Sequence, residues 1–212
     1  MQRSTSKKTF ATLAVFATLT LSSCSNSEHI NRPVDSIARS TTAPAPTTRQ
    51  TDANGVSLPF KTKFTHRWNS NNDGTLYEPC TAVNAEVLSK FNLSAQTARD
   101  VALADQQTAR GCDWETEGDP FSSITQSVGN APSLTEYKAR QSGHMKWLPD
   151  VELANRSVAV GIITSGECTT YVASGTAVVA TSATFHIDLP PEDQVCAKAI
   201  AFTAATINKM PP

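Results

Sequence analysis

The chain has 212 residues, of which 39% are hydrophobic, and a formal net charge of -1. This composition favours one domain of ordinary size with some residues outside it, and it excludes a protein with several membrane-spanning helices. Lysine and arginine total 18 and form no basic block, so a nucleic-acid partner is not expected.

The first 23 residues have the pattern of an export signal, because a basic segment at residues 3–8 precedes an apolar run at residues 9–21. At about 13 residues this run is too short to span a bilayer. The segment Leu21-Ser22-Ser23-Cys24 resembles a bacterial lipobox, in which the cysteine is acylated and becomes the first residue of the mature protein. We therefore predict a lipid anchor at Cys24 that holds the protein on the extracytoplasmic face of the cell membrane. A plain secretory signal is the alternative.

Residues 24–56 are rich in Ser, Thr, Pro and Ala, and the first Phe, Trp or Tyr after Cys24 is Phe60. Such a segment buries too little apolar surface to offset its ordering entropy, so a disordered tether is predicted. A flexible tether of this length spans about 30 Å. A poorly patterned first structural element is the alternative. Residues 57–212 are predicted to form a single domain.

Helices are predicted in three places in this domain. The spacing of Cys80, Val83, Val87 and Phe91 predicts a helix over residues 81–91 with one buried face. Ser133 begins a predicted short helix over residues 133–141, with Glu136 in the position of a capping-box partner. A C-terminal helix follows Pro190-Pro191, and its predicted buried face contains Cys196, Ile200, Thr203 and Ile207.

Strands are predicted from β-branched and aromatic residues between turn signals. They cover residues 111–116, 121–128, 151–153, 157–164, 168–174 and 176–187. The short links in the second half favour antiparallel neighbours. The predicted fold class is α+β, an antiparallel sheet with an N-terminal and a C-terminal helix packed on it.

Four cysteines follow Cys24, and an even number in an exported chain predicts two disulfides. Of the three possible pairings we favour Cys80 with Cys112 and Cys168 with Cys196, because each joins the head of a helix to a neighbouring strand. A zinc site is not expected, since the chain has no C-x-x-C pair to deliver two ligands together.

Several of these residues resemble those of a known family. Glu78-Pro79-Cys80 before a helix, Gly111-Cys112-Asp113-Trp114 on a strand, and the two later cysteines are similar to a family of actinobacterial envelope lipoproteins classed as a domain of unknown function. The resemblance covers the chain from about residue 76 to its end. Members typically have Asp-Pro-Cys where this chain has Glu-Pro-Cys, which is a conservative difference. The resemblance implies location and architecture, and it implies no activity.

No arrangement of residues for catalysis stands out in the sequence. His186 and Asp188 alternate at the end of a predicted strand, a position that more often marks a solvated face. Residues 69–74 match the first half of a calcium loop, but Asn69 and Cys80 occupy positions where acidic ligands are needed, so a simple turn is expected. We therefore predict no enzymatic activity, no catalytic residues, no metal and no cofactor.

Trp147 and Lys146 are the candidate binding surface, because an amphipathic aromatic beside a cation after a short helix can lie on a recognition surface. A Trp147 without an exposed recognition role is the alternative. Trp114 is expected to pack in the core. The predicted function is a non-enzymatic binding or accessory module of the cell envelope, with an envelope protein as its partner. A carrier of a lipid or small apolar ligand is the alternative, and an enzyme acting on wall polymers is less favoured.

Overall fold

The computed structural model describes residues 47–212. The predicted signal peptide, Cys24 and residues 25–46 of the predicted tether lie outside the described residues. Residues 47–56 make specific contacts with the domain, since the side chain of Gln50 hydrogen-bonds both the carbonyl (2.8 Å) and the amide (3.1 Å) of Thr62. Within the described part of the chain, no helix has the length and apolar character needed to cross a membrane.

The domain is built on a seven-stranded sheet in which every neighbouring pair is antiparallel, as predicted. The spatial order is β1-β2-β3-β7-β6-β5-β4. The strands are β1 (Arg99–Asp100), β2 (Arg110–Thr116), β3 (Asp119–Asn130), β4 (Lys146–Leu153), β5 (Arg156–Thr164), β6 (Glu167–Ser174) and β7 (Ala177–Phe185). The last four strands form a meander, and β3 pairs with β7 to join it to the first half.

Two strands differ from the sequence-based expectation. The two-residue strand β1 was not predicted, because so short a segment carries no periodicity. Strand β4 begins at Lys146, five residues before the predicted start, and contains Pro149. A proline is tolerated here because β4 is an edge strand and its pairing is irregular between Leu148 and Val151.

The predicted helix over residues 81–91 is two short helices, α1 (Pro79–Ala82) and α2 (Ala85–Lys90). The break occurs at Asn84, which has extended backbone geometry and whose side chain accepts a hydrogen bond from the amide of Val87. Asparagine is a strong helix N-cap, so it starts a new helix where the apolar spacing suggested a continuous one.

The two later helices lie where the sequence predicted them. Helix α3 (Leu134–Gln141) begins after Ser133, whose hydroxyl accepts a hydrogen bond from the amide of Glu136. Helix α4 covers Glu192–Thr206. Its buried residues are Val195, Cys196, Ala199, Phe202, Thr203 and Thr206. Of the predicted buried face, Cys196 and Thr203 are buried, Ile200 is only half-buried, and Ile207 is buried in the short 3-10 helix that follows α4.

Helix α4 packs on one face of the sheet, which we call the first face. Phe202 lies 5.0 Å from Phe91 and 5.9 Å from Trp114 between ring centroids, and this contact places Trp114 in the core as expected. The hydroxyls of Thr170 and Thr203 are 2.5 Å apart, and they join β6 to α4. Aromatic contact area of this kind dominates core energetics.

One of the two predicted disulfides is present. Cys168 of β6 is bonded to Cys196 of α4, with a Cα–Cα distance of 5.0 Å. The predicted bond between Cys80 and Cys112 is wrong, because both cysteines are free and buried in the structure. Their neighbourhood contains buried charged side chains that hydrogen-bond one another instead.

Candidate functional site

Some of the residues that carry the family resemblance belong to or contact a buried charge cluster, defined here as Arg67, Glu78, Asp100 and Arg110. The exposed fractions of Arg67, Glu78 and Arg110 are 1%, 2% and 0%. Arg67 donates two hydrogen bonds to the Glu78 carboxylate, at 2.8 and 3.1 Å, and Arg110 donates one at 3.0 Å. Two guanidinium groups thus share one carboxylate in the interior, a geometry that gives strong charge-assisted hydrogen bonds.

The remaining polar atoms of the charge cluster are also bonded. The Nε of Arg67 donates to Asp100 at 2.8 Å, and Arg110 donates to the carbonyls of Asn72, Thr75 and Tyr77 at 2.8–3.0 Å. Burial raises the pKa of Glu78, but hydrogen bonds and charge from the two arginines outweigh it, and the pKa lies below its usual value. Burial lowers the pKa of Arg110 to about 10, which leaves it charged at neutral pH.

Trp68 connects the start of the domain to the charge cluster. The guanidinium of Arg110 lies 3.6 Å from the centroid of the Trp68 ring, and that of Arg49 lies 4.3 Å from it. Both distances are typical of cation–π contacts, which are strongest with tryptophan. Arg49 is therefore attached to the folded domain although it falls within the predicted tether.

Cys80 and Cys112 lie beside the charge cluster. The thiol of Cys80 donates to the carbonyl of Gly111 at 3.1 Å. Burial raises the pKa of Cys80, and the neighbouring Cys112 thiol raises it further. A neutral buried thiol is a poor nucleophile. Since the polar atoms of the two arginines and of Glu78 have hydrogen-bond partners within the described residues, we interpret this region as part of the structural core.

A second group of residues forms an open cleft on the other face of the sheet, which we call the second face. Successive residues of a strand point to opposite faces of the sheet. Thr170 of β6 contacts α4 on the first face, so the next residue, Tyr171, points to the second face. Helix α3 covers one end of this face, where Tyr137 contacts Tyr171 with ring centroids 5.0 Å apart. Beside α3 the part of the chain that the structure describes leaves an open cleft over the sheet.

The cleft has a volume of about 500 Å³. Its floor is formed by β3 and β7, one wall by α3, and the opposite wall by the loops at residues 70–71 and 108–109. The residues that line it are Ser70, Asn71, Thr108, Ala109, Ser127, Gly129, Asn130, Tyr137, Arg140, Gln141, Val178 and Ala180. Eight of these have polar side chains, and none is a carboxylate or a histidine.

Most polar side chains of the cleft are available for hydrogen bonding. Asn130 is engaged, since it accepts from Gly74 and donates to Asp73. Six polar side chains of the cleft make no hydrogen bond within residues 47–212, and these are Ser70, Asn71, Thr108, Ser127, Arg140 and Gln141. They are free to bond water or a ligand, and a concave surface with some polar groups is the usual setting of a ligand site.

The predicted binding residues Trp147 and Lys146 lie near this cleft but outside its lining. Trp147 is half-buried beneath α3, with its ring 5.5 Å from Tyr171 and the ammonium of Lys138 5.2 Å above it. Lys146 points to the first face, where it pairs with Glu192 at 2.9 Å. The structure therefore does not bring the two side chains together, and Trp147 supports the wall of the cleft from below.

The other residues singled out in the sequence also stay apart. His186 and Asp188 are exposed beyond the end of β7, and neither side chain makes a hydrogen bond within residues 47–212. In the calcium-like segment, the side-chain oxygen of Asn69 accepts from the amide of Asn71 at 2.9 Å, as in a simple turn. No cluster of three metal-ligating side chains occurs among the described residues.

Neither the cleft nor the two buried arginines was predicted from the sequence. The cleft is assembled from five separated segments, which no motif connects. Arg110 is a charged residue in a strand and directly precedes the buried Gly111-Cys112 pair. A charged residue at the start of a buried strand is the signal in the sequence that could have indicated the charge cluster. A buried arginine needs a partner, and Glu78 beside Pro79 is that partner.

Comparison with known proteins gives a family but no characterised relative. No curated protein and no solved structure matches the chain. A family model described as "Protein of unknown function (DUF3558)" matches residues 19–209. The match includes the buried charge cluster, all strands and α4. The chain therefore belongs to the DUF3558 family of proteins of unknown function.

Proposed function

We propose that the protein is an envelope lipoprotein of an actinobacterial cell, anchored through acylated Cys24, whose domain is a non-enzymatic binding module. The observation that carries the binding part is the cleft, in which six polar side chains make no hydrogen bond within the described residues. Its volume of about 500 Å³ falls in the usual range for small-molecule sites, roughly 300–1,000 Å³.

The lining of the cleft supports binding over catalysis. General acid–base chemistry uses a carboxylate or histidine within hydrogen-bond reach of the reacting group, and nucleophilic chemistry uses a hydroxyl or thiol beside a base. The cleft hydroxyls of Ser70, Thr108 and Ser127 have no carboxylate or histidine beside them in the lining. The polar lining also favours a polar ligand over the lipid or apolar cargo of a carrier.

The anchor is tested by fractionation of cells that express the full chain or the Cys24→Ala variant. We expect the full chain in the membrane fraction after a high-salt wash and the variant in the medium, because two or more acyl chains hold a soluble domain at a bilayer. A Cys24→Ala protein that stays on the membrane would contradict the lipoprotein assignment.

The binding role is tested by saturation-transfer NMR on the purified Cys24→Ala protein, with soluble saccharides released from the producing cell's envelope by mild acid. We expect signal transfer to some of these molecules and its loss in Ser127→Phe, which fills the floor of the cleft. Ser157→Phe is the matched control, because Ser157 is an exposed serine on a strand outside the cleft. Equal transfer with both variants would contradict binding at the cleft.

A further inference from the structure

The cleft carries a single charge among its lining side chains. That charge is the guanidinium of Arg140, which is exposed in the last turn of α3 and forms no ion pair within residues 47–212. By contrast, the neighbouring Lys138 is paired with Asp150 at 2.6 Å. An unpaired guanidinium in a lining without carboxylates favours an anionic group on the ligand, which it can bind with two parallel hydrogen bonds.

The neutral part of the lining matches a ligand with many hydroxyls. The side chains of Asn71 and Gln141 and the hydroxyls of Ser70, Thr108 and Ser127 can both donate and accept hydrogen bonds. The floor also contains a small apolar strip, formed by the methyl groups of Val178 and Ala180. A pyranose ring has the same division, with C–H groups on one face and hydroxyls around its edge.

A row of small side chains continues from the floor of the cleft along the second face. The cross-strand pairs of β3 and β7 in this row are Ser127 with Ala180, Thr125 with Ser182, and Ser123 with Thr184. All six residues are half-exposed. Within the described chain the hydroxyls of Ser123 and Thr184 have no hydrogen-bond partner. The row therefore extends the polar surface by two residue pairs beyond the cleft.

We propose that the cleft binds a short saccharide that carries an anionic group, a carboxylate or a phosphate, with Arg140 at the anion and the amides and hydroxyls of the cleft around the sugar. This inference rests on the proposed binding function and names its ligand class. Because Arg140 is exposed, its contribution is modest, and removal of its charge is expected to weaken binding about fivefold.

The test is an amide-shift NMR titration of the Cys24→Ala protein with three probes: digalacturonate for the carboxylate, glucose 1-phosphate for the phosphate, and maltose as the neutral disaccharide. We expect shifts at residues 127–129 and 178–180 with at least one anionic probe, and binding about fivefold tighter than that of maltose. Which anionic probe binds identifies the source of the charge.

Three variants separate charge from shape. Arg140→Gln is expected to reduce binding of the anionic probe to the level of maltose, and Arg140→Lys to retain part of the preference. Lys90→Gln removes an exposed charge on α2 and is expected to change nothing.

Two outcomes would overturn the inference. If maltose and the anionic probes bind equally and Arg140→Gln has no effect, the anionic preference is wrong, although the proposed binding function stands. If none of the three probes shifts the cleft residues, the saccharide class is wrong, and the experiment with envelope saccharides decides the binding function separately.

Discussion

Replacement of Glu78 by glutamine probes the buried charge cluster most severely. Among residues 47–212, Glu78 is the only carboxylate that contacts both Arg67 and Arg110, with three N–O contacts of 2.8–3.1 Å, and all three side chains are buried. Glutamine keeps the shape but leaves the charge of Arg110 without a carboxylate and that of Arg67 with Asp100 alone. Loss of one partner from a buried ion pair costs about 3–5 kcal/mol, because the other charge stays buried.

The assay is urea unfolding of the Cys24→Ala protein with and without Glu78→Gln, followed by fluorescence of the tryptophans. In thermal unfolding of the same two proteins, a loss of about 3–5 kcal/mol corresponds to a fall in Tm of about 6–20 °C for a domain of this size. The matched control is Glu86→Gln, which breaks the exposed pair of Glu86 with Lys90 and should leave the free energy of unfolding nearly unchanged, because exposed ion pairs contribute little. If both substitutions have the same small effect, the charge cluster does not stabilise the fold as argued.

Four further outcomes are expected. Acidification should destabilise the protein below about pH 4, because the pKa of Glu78 is lower in the folded protein than its unfolded value of about 4.3. The ionised carboxylate therefore stabilises the fold above the unfolded pKa, and this stability is lost as the pH falls through the folded pKa. Denaturation measured across pH should show a flatter dependence for Glu78→Gln. In the Cys24→Ala protein a thiol reagent should label no cysteine in the native state and two after unfolding, whereas none after unfolding would mean a second disulfide. Cys168→Ala with Cys196→Ala should cost about 3–4 kcal/mol in urea unfolding, since the bond closes a separation of 28 residues. Gly111→Ala should lower the free energy of unfolding by about 1–3 kcal/mol in urea unfolding, because a Cβ at this position would clash with the carbonyl of Gln126. Gly143→Ala is the control and should change it by less than about 0.5 kcal/mol, because no atom lies near the position of its Cβ.

The sheet was predictable because its signals are local. Alternating β-branched residues between short turns define β5, β6 and β7, and each observed boundary lies within two residues of the predicted one. The pairing of Cys168 with Cys196 followed from the same elements. The strands depend on residues that are close in sequence. The disulfide depends on two elements, β6 and α4, whose buried faces can be recognised from the spacing of their apolar residues.

The buried charges and the cleft were not predictable because they depend on distant residues. Arg67 reaches Glu78, Asp100 and the carbonyl of Gly111, contacts that span up to 44 residues. In the sequence, Cys80 and Cys112 are placed as a disulfide pair would be, at the head of a helix and in a strand. The number of cysteines in a chain cannot distinguish a bonded pair from two buried thiols. Trp147 was a candidate for a binding surface beside Lys146, but in the structure it is half-buried, with the ammonium of Lys138 in α3 above its ring.

Binding in the cleft is tested most directly in living cells that carry the anchored full chain with a photo-reactive amino acid in place of Gln141, which lines the cleft. Thr135, an exposed residue of the same helix outside the lining, is the control position. After illumination, mass spectrometry of the purified protein should show an adduct that contains saccharide at position 141 and none at position 135. Identical adducts at both positions, or none at position 141, would contradict the cleft as the ligand site.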